Sequence, residues 1–315
     1  MEMKKNPRNQ NDRTENQNNN KTPHRPVLVL LFAAVLVVAV YSGYRVLAQL
    51  ATERAGKSAY ASVDAYLYVG EEGGQDTEAR TGTEDSGSAE EIGTESEKTT
   101  DTFPTVTIDY NALQEINPDF AAVLYVPALD LLYPTAYSRD NTEYLTRTFA
   151  GTQNPCGSIF VDCNASRDFT DLHTLIFGHN MKNGTMFGSL KKFYQDPDLV
   201  KENPYFYLYT QKDVLCYRIF ADLTLPVDDP IYTSAIDSEE DYDALVQRLQ
   251  SASSYAPEEG AVDFTTHPDL VTLSTCYGTG HTDNFVTCGV LVGEKAAAGT
   301  GKEEGENPGE NKQSK

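Results

Sequence analysis

The side chains of this sequence best suited to covalent chemistry are a thiol and an imidazole, Cys276 and His179. A thiol is nucleophilic only as its thiolate, and a neighbouring base or positive group is needed to activate it. Cys276 ends the apolar run Leu270-Val271-Thr272-Leu273-Ser274-Thr275 and precedes Tyr277-Gly278-Thr279-Gly280, so a strand is expected to deliver it to the mouth of a loop. His179 has the matching setting, with Thr174-Leu175-Ile176-Phe177-Gly178 ahead of it and Asn180-Met181-Lys182-Asn183-Gly184 behind. Taken singly, each has a commoner bland role: a strand-end cysteine is more often packed, and a lone histidine is more often bonded to backbone. His24, His173 and His267 lie in polar settings, and only His281, in the loop after Cys276, is a second candidate.

Both residues require a β scaffold. Short β-branched or aromatic runs separated by turn residues at 122–126, 158–162, 174–178, 205–210, 214–222, 270–276 and 285–292 predict a barrel or sandwich. Two helices interrupt it. Residues 185–194 place Met186, Leu190 and Phe193 on one face, and 238–251 opens with Ser238 and Asp241 in capping-box spacing before Tyr242, Leu245, Val246 and Leu249. The second helix is expected on the outside of the barrel.

The flanking segments cannot build a core. Residues 1–25 are Asn-, Lys- and Arg-rich and are read as a disordered cytoplasmic tail. Residues 26–45 carry an apolar run of about 18 residues, long enough to cross a bilayer as a helix. More Lys and Arg precede this run than follow it, which puts the N-terminus inside and the rest of the chain outside, as a single-pass protein of the cell membrane. A cleaved leader ending near Val46-Leu47-Ala48 is the competing reading, and it too exports the domain. Residues 46–104 are read as a short helix followed by an acidic low-complexity linker, 105–294 as the folded catalytic domain and 295–315 as a second disordered tail. The formal net charge of −22 speaks against a nucleic-acid partner, which needs a basic face. Five cysteines, an odd number, leave at least one thiol free, and Cys156, Cys163 and Cys216 read as small buried hydrophobes. No cluster has metal-ligand spacing, so neither a metal nor another cofactor is expected.

Several stretches together resemble the sortases. Thr272-Leu273-Ser274-Thr275-Cys276 is similar to the sortase nucleophile motif. Ile176-Phe177-Gly178-His179-Asn180-Met181 with Gly184-Thr185-Met186-Phe187-Gly188 is similar to the histidine region of class B sortases. Asn117-Pro118-Asp119, Tyr133-Pro134 with Asp140-Asn141 and Tyr144-Leu145, and Gly157-Ser158-Ile159-Phe160-Val161-Asp162 follow in the order that class has. The resemblance spans about 110–293 and implies a mainly β fold with flanking helices: an eight-stranded sortase barrel, with 238–251 as the extra class B helix before the nucleophile strand. It implies a cysteine transpeptidase acting on surface proteins that bear a C-terminal sorting signal. Cys276 would be the nucleophile, His179 the general acid and base, and Asn141, Ser274 and Thr275 contacts to substrate. The acceptor would be an amine of peptidoglycan or a pilin lysine.

One position departs from the pattern. Where sortases carry an arginine before an apolar pair, the sequence reads Asp283-Asn284-Phe285-Val286, and no Arg or Lys lies between Cys276 and Glu294. The Asn284 amide can still donate to an oxyanion but adds no charge, so the alternative is an impaired sortase-like binder of sorting signals or wall components. A papain-like or amidase-type hydrolase fits the order of motifs less well. Without a bulge, alternation puts Asn284, Val286 and Cys288 on one face, which raises the question of a silencing Cys276–Cys288 disulfide.

Overall fold

The computed structural model describes residues 25–69, 103–233, 236, 238–276 and 282–297. The expectations for the N-terminal tail, most of the acidic linker and the C-terminal tail lie outside the described residues. Two compact units are distinguished, 1–51 and 52–315. In the first, the segment Val27–Ala51 of helix α1 (Arg25–Asp64) has a mean hydropathy of 2.5 and no buried side chains, and is long and apolar enough to cross a membrane.

In the second unit, β1 (Leu67–Val69) and β2 (Val106–Ile108) form a small antiparallel sheet, and α2 (Tyr110–Ile116) follows, capped by the Asp109 carboxylate on the Ala112 N–H. The succeeding elements are β3 (Phe120–Val126), β4 (Leu131–Tyr137), β5 (Ile159–Val161), β6 (His173–His179), α3 (Lys191–Gln195), α4 (Asp198–Glu202), β7 (Tyr205–Tyr209), β8 (Asp213–Pro226), α5 (Glu239–Ala252), β9 (Leu270–Cys276) and β10 (Asp283–Ala296). Eight of these strands close into a barrel in the order β10-β8-β7-β3-β4-β5-β6-β9, so the fold is the expected eight-stranded barrel with a few flanking helices. Its β4–β5 and β6–β9 pairs are parallel and the rest antiparallel.

Strand β4 is absent from the expectations because Pro134 interrupts its pattern. In the barrel Pro134 pairs with Val123 of β3, while the parallel pairing to β5 begins only at Thr135, so that edge asks no N–H of position 134. The helix expected at 185–194 also differs. Met186 has φ of 52°, and only the 3-10 turn Phe187–Ser189 and α3 are helical, although Met186, Leu190 and Phe193 are all buried as expected.

Two apolar clusters hold the fold. One contains Val123, Ile176, Phe206, Tyr217 and Leu273; the other joins α5 to the opposite faces of β6, β8, β9 and β10 through Tyr242, Leu245, Val246 and Leu249. Burying each of these four side chains contributes roughly 2 kcal/mol. Ser238 caps α5 by accepting the Asp241 N–H at 3.1 Å, which adds about 1 kcal/mol.

Candidate active site

Strands β6 and β9 run parallel and in register from His173 opposite Leu270 to His179 opposite Cys276. Both strands end at these residues, so the tertiary pairing brings together two positions almost a hundred residues apart in the chain. Residues 277–281, including His281, lie outside the described residues.

The half-buried imidazole of His179 is seated on main chain. Its Nε2 lies 2.6 Å from the carbonyl oxygen of Leu145. A carbonyl only accepts, so Nε2 carries the hydrogen and Nδ1 is left to exchange a proton. The preceding residue, Tyr144, is held firmly. Tyr144 donates its hydroxyl to Asp119 Oδ2 at 3.2 Å, and Asn117 Nδ2 donates to the same hydroxyl at 3.0 Å. The Tyr144 carbonyl accepts the Ser158 N–H at 2.9 Å. Gly157 floors the ring: with φ of +58°, a Cβ there would lie 2.5 Å from the Tyr144 oxygen, 2.7 Å from the Leu145 oxygen and 3.0 Å from His179 Cδ2. Only glycine suits that backbone and that space.

On the other side of β9, Asn284 is 6% exposed and donates Nδ2 to the Tyr232 hydroxyl at 3.2 Å; that hydroxyl is 3.0 Å from Ser274 Oγ. Burial raises the Tyr232 phenol above its ordinary value, so the chain Asn284–Tyr232–Ser274 is uncharged throughout.

No family model matches the chain. It is 29% identical over 188 residues to sortase B of Listeria monocytogenes, covering 60% of this chain and 75% of the relative. Sortase B from Bacillus anthracis superposes with a TM-score of 0.53 at 27% identity, covering 59% of this chain and 85% of that one. A Streptococcus pyogenes class B sortase involved in pilus biogenesis superposes with a TM-score of 0.53 at 26% identity, covering 58% and 98%. These likenesses support a sortase B family assignment.

The likeness supports a sortase-family transpeptidase, and the remaining expected site residues can be located in the barrel. Asn141, at φ of 59°, donates Nδ2 to Asp162 at 2.8 Å and accepts the Cys163 N–H at 2.8 Å, so its amide bridges two segments of the fold. The Thr275 hydroxyl is buried and accepts the Phe285 N–H at 3.0 Å, tying β9 to β10. Ser274 is fully buried beneath Tyr232. Sequence reasoning missed Tyr232, which lies in a turn with no motif. It also left the Leu145 carbonyl and Gly157 without a role, although both lie in stretches that carry the resemblance.

The described thiols are poor nucleophiles. Burial pushes Cys216 up to about 11 and Cys288 up to about 12, and raises Cys156 and Cys163 as well. Cys288 is a free thiol whose Sγ lies 3.3 Å from Thr272 Oγ1, and it pairs with Thr272, four residues before Cys276. At roughly 3.3 Å per residue that offset exceeds the reach of a disulfide. Alternation places it as expected, because the bulge in β10 comes only after Cys288. A cavity of about 510 Å³ along β6 is lined by Leu175, Ile231, Tyr232 and Ile236 with Asp162 and His173. Among the described residues no group of three His, Cys, Asp or Glu side chains could hold a metal ion.

Proposed function

We propose that this chain is an active class B-like sortase, with Cys276 as nucleophile and His179 as general acid and base. The observation that carries the reading is the parallel register that sets His179 opposite Cys276 at the ends of β6 and β9. In the first step the thiolate attacks the carbonyl carbon at the scissile bond of a sorting signal. The C–N bond then breaks, the departing amine takes a proton from the imidazolium, and a thioacyl enzyme remains. In the second step an acceptor amine of peptidoglycan or a pilin lysine attacks that carbon. It passes a proton to the imidazole, and the C–S bond breaks to return the thiolate. With Nε2–H committed to the Leu145 carbonyl, Nδ1 is the nitrogen that carries this proton. The cavity along β6 beside Tyr232 suits the sorting-signal peptide; Ser274 and Asn141 stand behind its lining, bonded to Tyr232 and Asp162.

Further parts of the reading rest on the sequence. The N-terminus lies in the cytoplasm, α1 anchors the protein, and the catalytic domain of 105–294 stands outside the cell on its acidic linker. Asn284 supports a second reading, a sortase-like binder without turnover, because it supplies no positive charge where the family has arginine. Loss of an oxyanion donor lowers rates by about 100- to 1000-fold.

Mass spectrometry of the full chain in detergent, with a panel of sorting-signal peptides and an amine, separates the two readings. A thioacyl adduct and ligated product, both absent in Cys276→Ala, are expected. Adduct formation by Asn284→Arg alone would favour the binder.

A further inference from the structure

On the side of His179 away from Asn284, a cavity of about 420 Å³ is walled by Tyr60, Asp64, Asp130, Tyr133, Met181 and Met186. It is built on the segments that seat the histidine. Met181 donates its N–H to the His179 carbonyl at 3.0 Å, and Tyr60 donates its hydroxyl to the carbonyl of Gly157, the residue under the imidazole, at 2.9 Å. Tyr60 and Tyr133 meet edge to face, their centroids 5.3 Å apart, and form an apolar wall with the two methionines. Tyr133 accepts the Met186 N–H at 3.5 Å and keeps its own hydroxyl hydrogen to give.

The charge in this cavity has one sign. Asp64 and Asp130 are exposed carboxylates, and among the described residues neither is ion-paired and no Lys or Arg lines the space. Partial burial raises the Asp64 carboxyl above its ordinary value, so an ammonium beside it would relieve an existing cost. The occupant that matches is a primary ammonium on a short apolar stem. A volume of this size takes a diamino-acid side chain with a neighbouring residue, and is too small for the face of a folded domain.

We propose that this cavity is the acceptor subsite, which binds a peptidoglycan stem peptide through its side-chain ammonium at Asp64 and Asp130. The proposal rests on the sortase reading, and it places the amine on the flank of His179: the ammonium gives one proton to solvent, and the imidazole takes the second once the free amine has attacked the thioacyl carbon.

The test is calorimetric titration of the full chain in detergent with a lysine-containing stem pentapeptide and with its Nε-acetylated form. Binding of the free amine is expected, weakened by about 10-fold on acetylation and by a similar factor in Asp64→Asn/Asp130→Asn. Both carboxylates are exposed, so the substitutions leave the core intact, which circular dichroism checks. Equal affinity for the acetylated peptide, equal affinity in the double variant, or no binding up to the solubility limit overturns the proposal. So does a folded lysine-bearing pilin domain that binds where the pentapeptide does not. Thioacyl formation is followed in the same samples. An adduct without pentapeptide binding removes the subsite and leaves the sortase reading standing, and absence of any adduct across the panel counts against the sortase reading itself.

Discussion

On one side of the paired strands β6 and β9 the imidazole of His179 rests on main-chain groups, the Leu145 carbonyl and the backbone of Gly157. On the other side Asn284 rests on side-chain hydroxyls, those of Tyr232 and, beyond it, Ser274. A carbonyl acceptor survives any point substitution at its own residue, so the histidine flank fails through volume and backbone shape. A hydroxyl is removed by one substitution, so the asparagine flank fails through loss of a functional group. The first arrangement tolerates variation in side chains and forbids a Cβ at one position. The second is rebuilt easily, and it is the flank that carries Asn284, where the resemblance implies arginine.

Replacing the imidazole gives the largest effect. His179→Gln is expected to lower the ligation rate by about 100- to 10,000-fold, the usual contribution of a general acid and base, measured in single-turnover thioacyl formation and transfer. Gly157→Ala comes next, because the added carbon meets two carbonyl oxygens and the imidazole edge. Displacement of the ring by about an ångström is expected to cost about 100-fold in kcat, with a lower melting temperature. An unchanged kcat would mean that the backbone seat does not set the imidazole's position.

On the asparagine flank, Tyr232→Phe is expected to lower kcat/KM by about 10-fold, the effect of one neutral hydrogen bond. Asn284→Arg in the same background should recover the loss by supplying a charge that needs no hydroxyl partner. If Tyr232→Phe matches the wild type, the side-chain chain is ornamental and the contrast between the flanks collapses.

The smallest effect on rate, and a clear one on stability, is expected at Asp222, which accepts the Thr287 hydroxyl at 2.8 Å from β10, three residues after Asn284. Its Oδ2 is buried without a partner among the described residues, and burial raises the carboxyl to about 7. A folded-state value above the unfolded one means that the native protein holds the proton more tightly. Stability from this group is therefore full below about pH 4 and is lost as pH rises towards and through 7. Asp222→Asn stays neutral, so its melting temperature should exceed the wild type at pH 8, and the gap should close near pH 4. A gap that is constant with pH would show that Asp222 is not the titrating group.

Strand positions, the capped helix α5 and the order of motifs were legible in the sequence because each depends on local periodicity or on neighbours within a turn. Ser238, Tyr242, Leu245, Val246 and Leu249 sit as the pattern predicts. Pro134 hid β4, since a residue that cannot donate to a ladder reads as a break until the partner strand is known to start one residue later. Met186 hid the late start of helix for a similar reason, its positive φ being invisible in its side-chain type.

By itself the sequence determined that a thiol and an imidazole stand at the ends of two apolar strands, that an apolar helix near the N-terminus can span a bilayer, and that asparagine stands on the last strand where the resemblance implies arginine. Only the tertiary structure decided that β6 and β9 pair in parallel with His179 opposite Cys276, that the Leu145 carbonyl holds Nε2, and that Tyr232 occupies the amide of Asn284. Periodicity reports which face of a strand is buried. The partner of a strand, and the group that meets a given polar atom, depend on contacts across long chain separations, which barrel closure alone establishes.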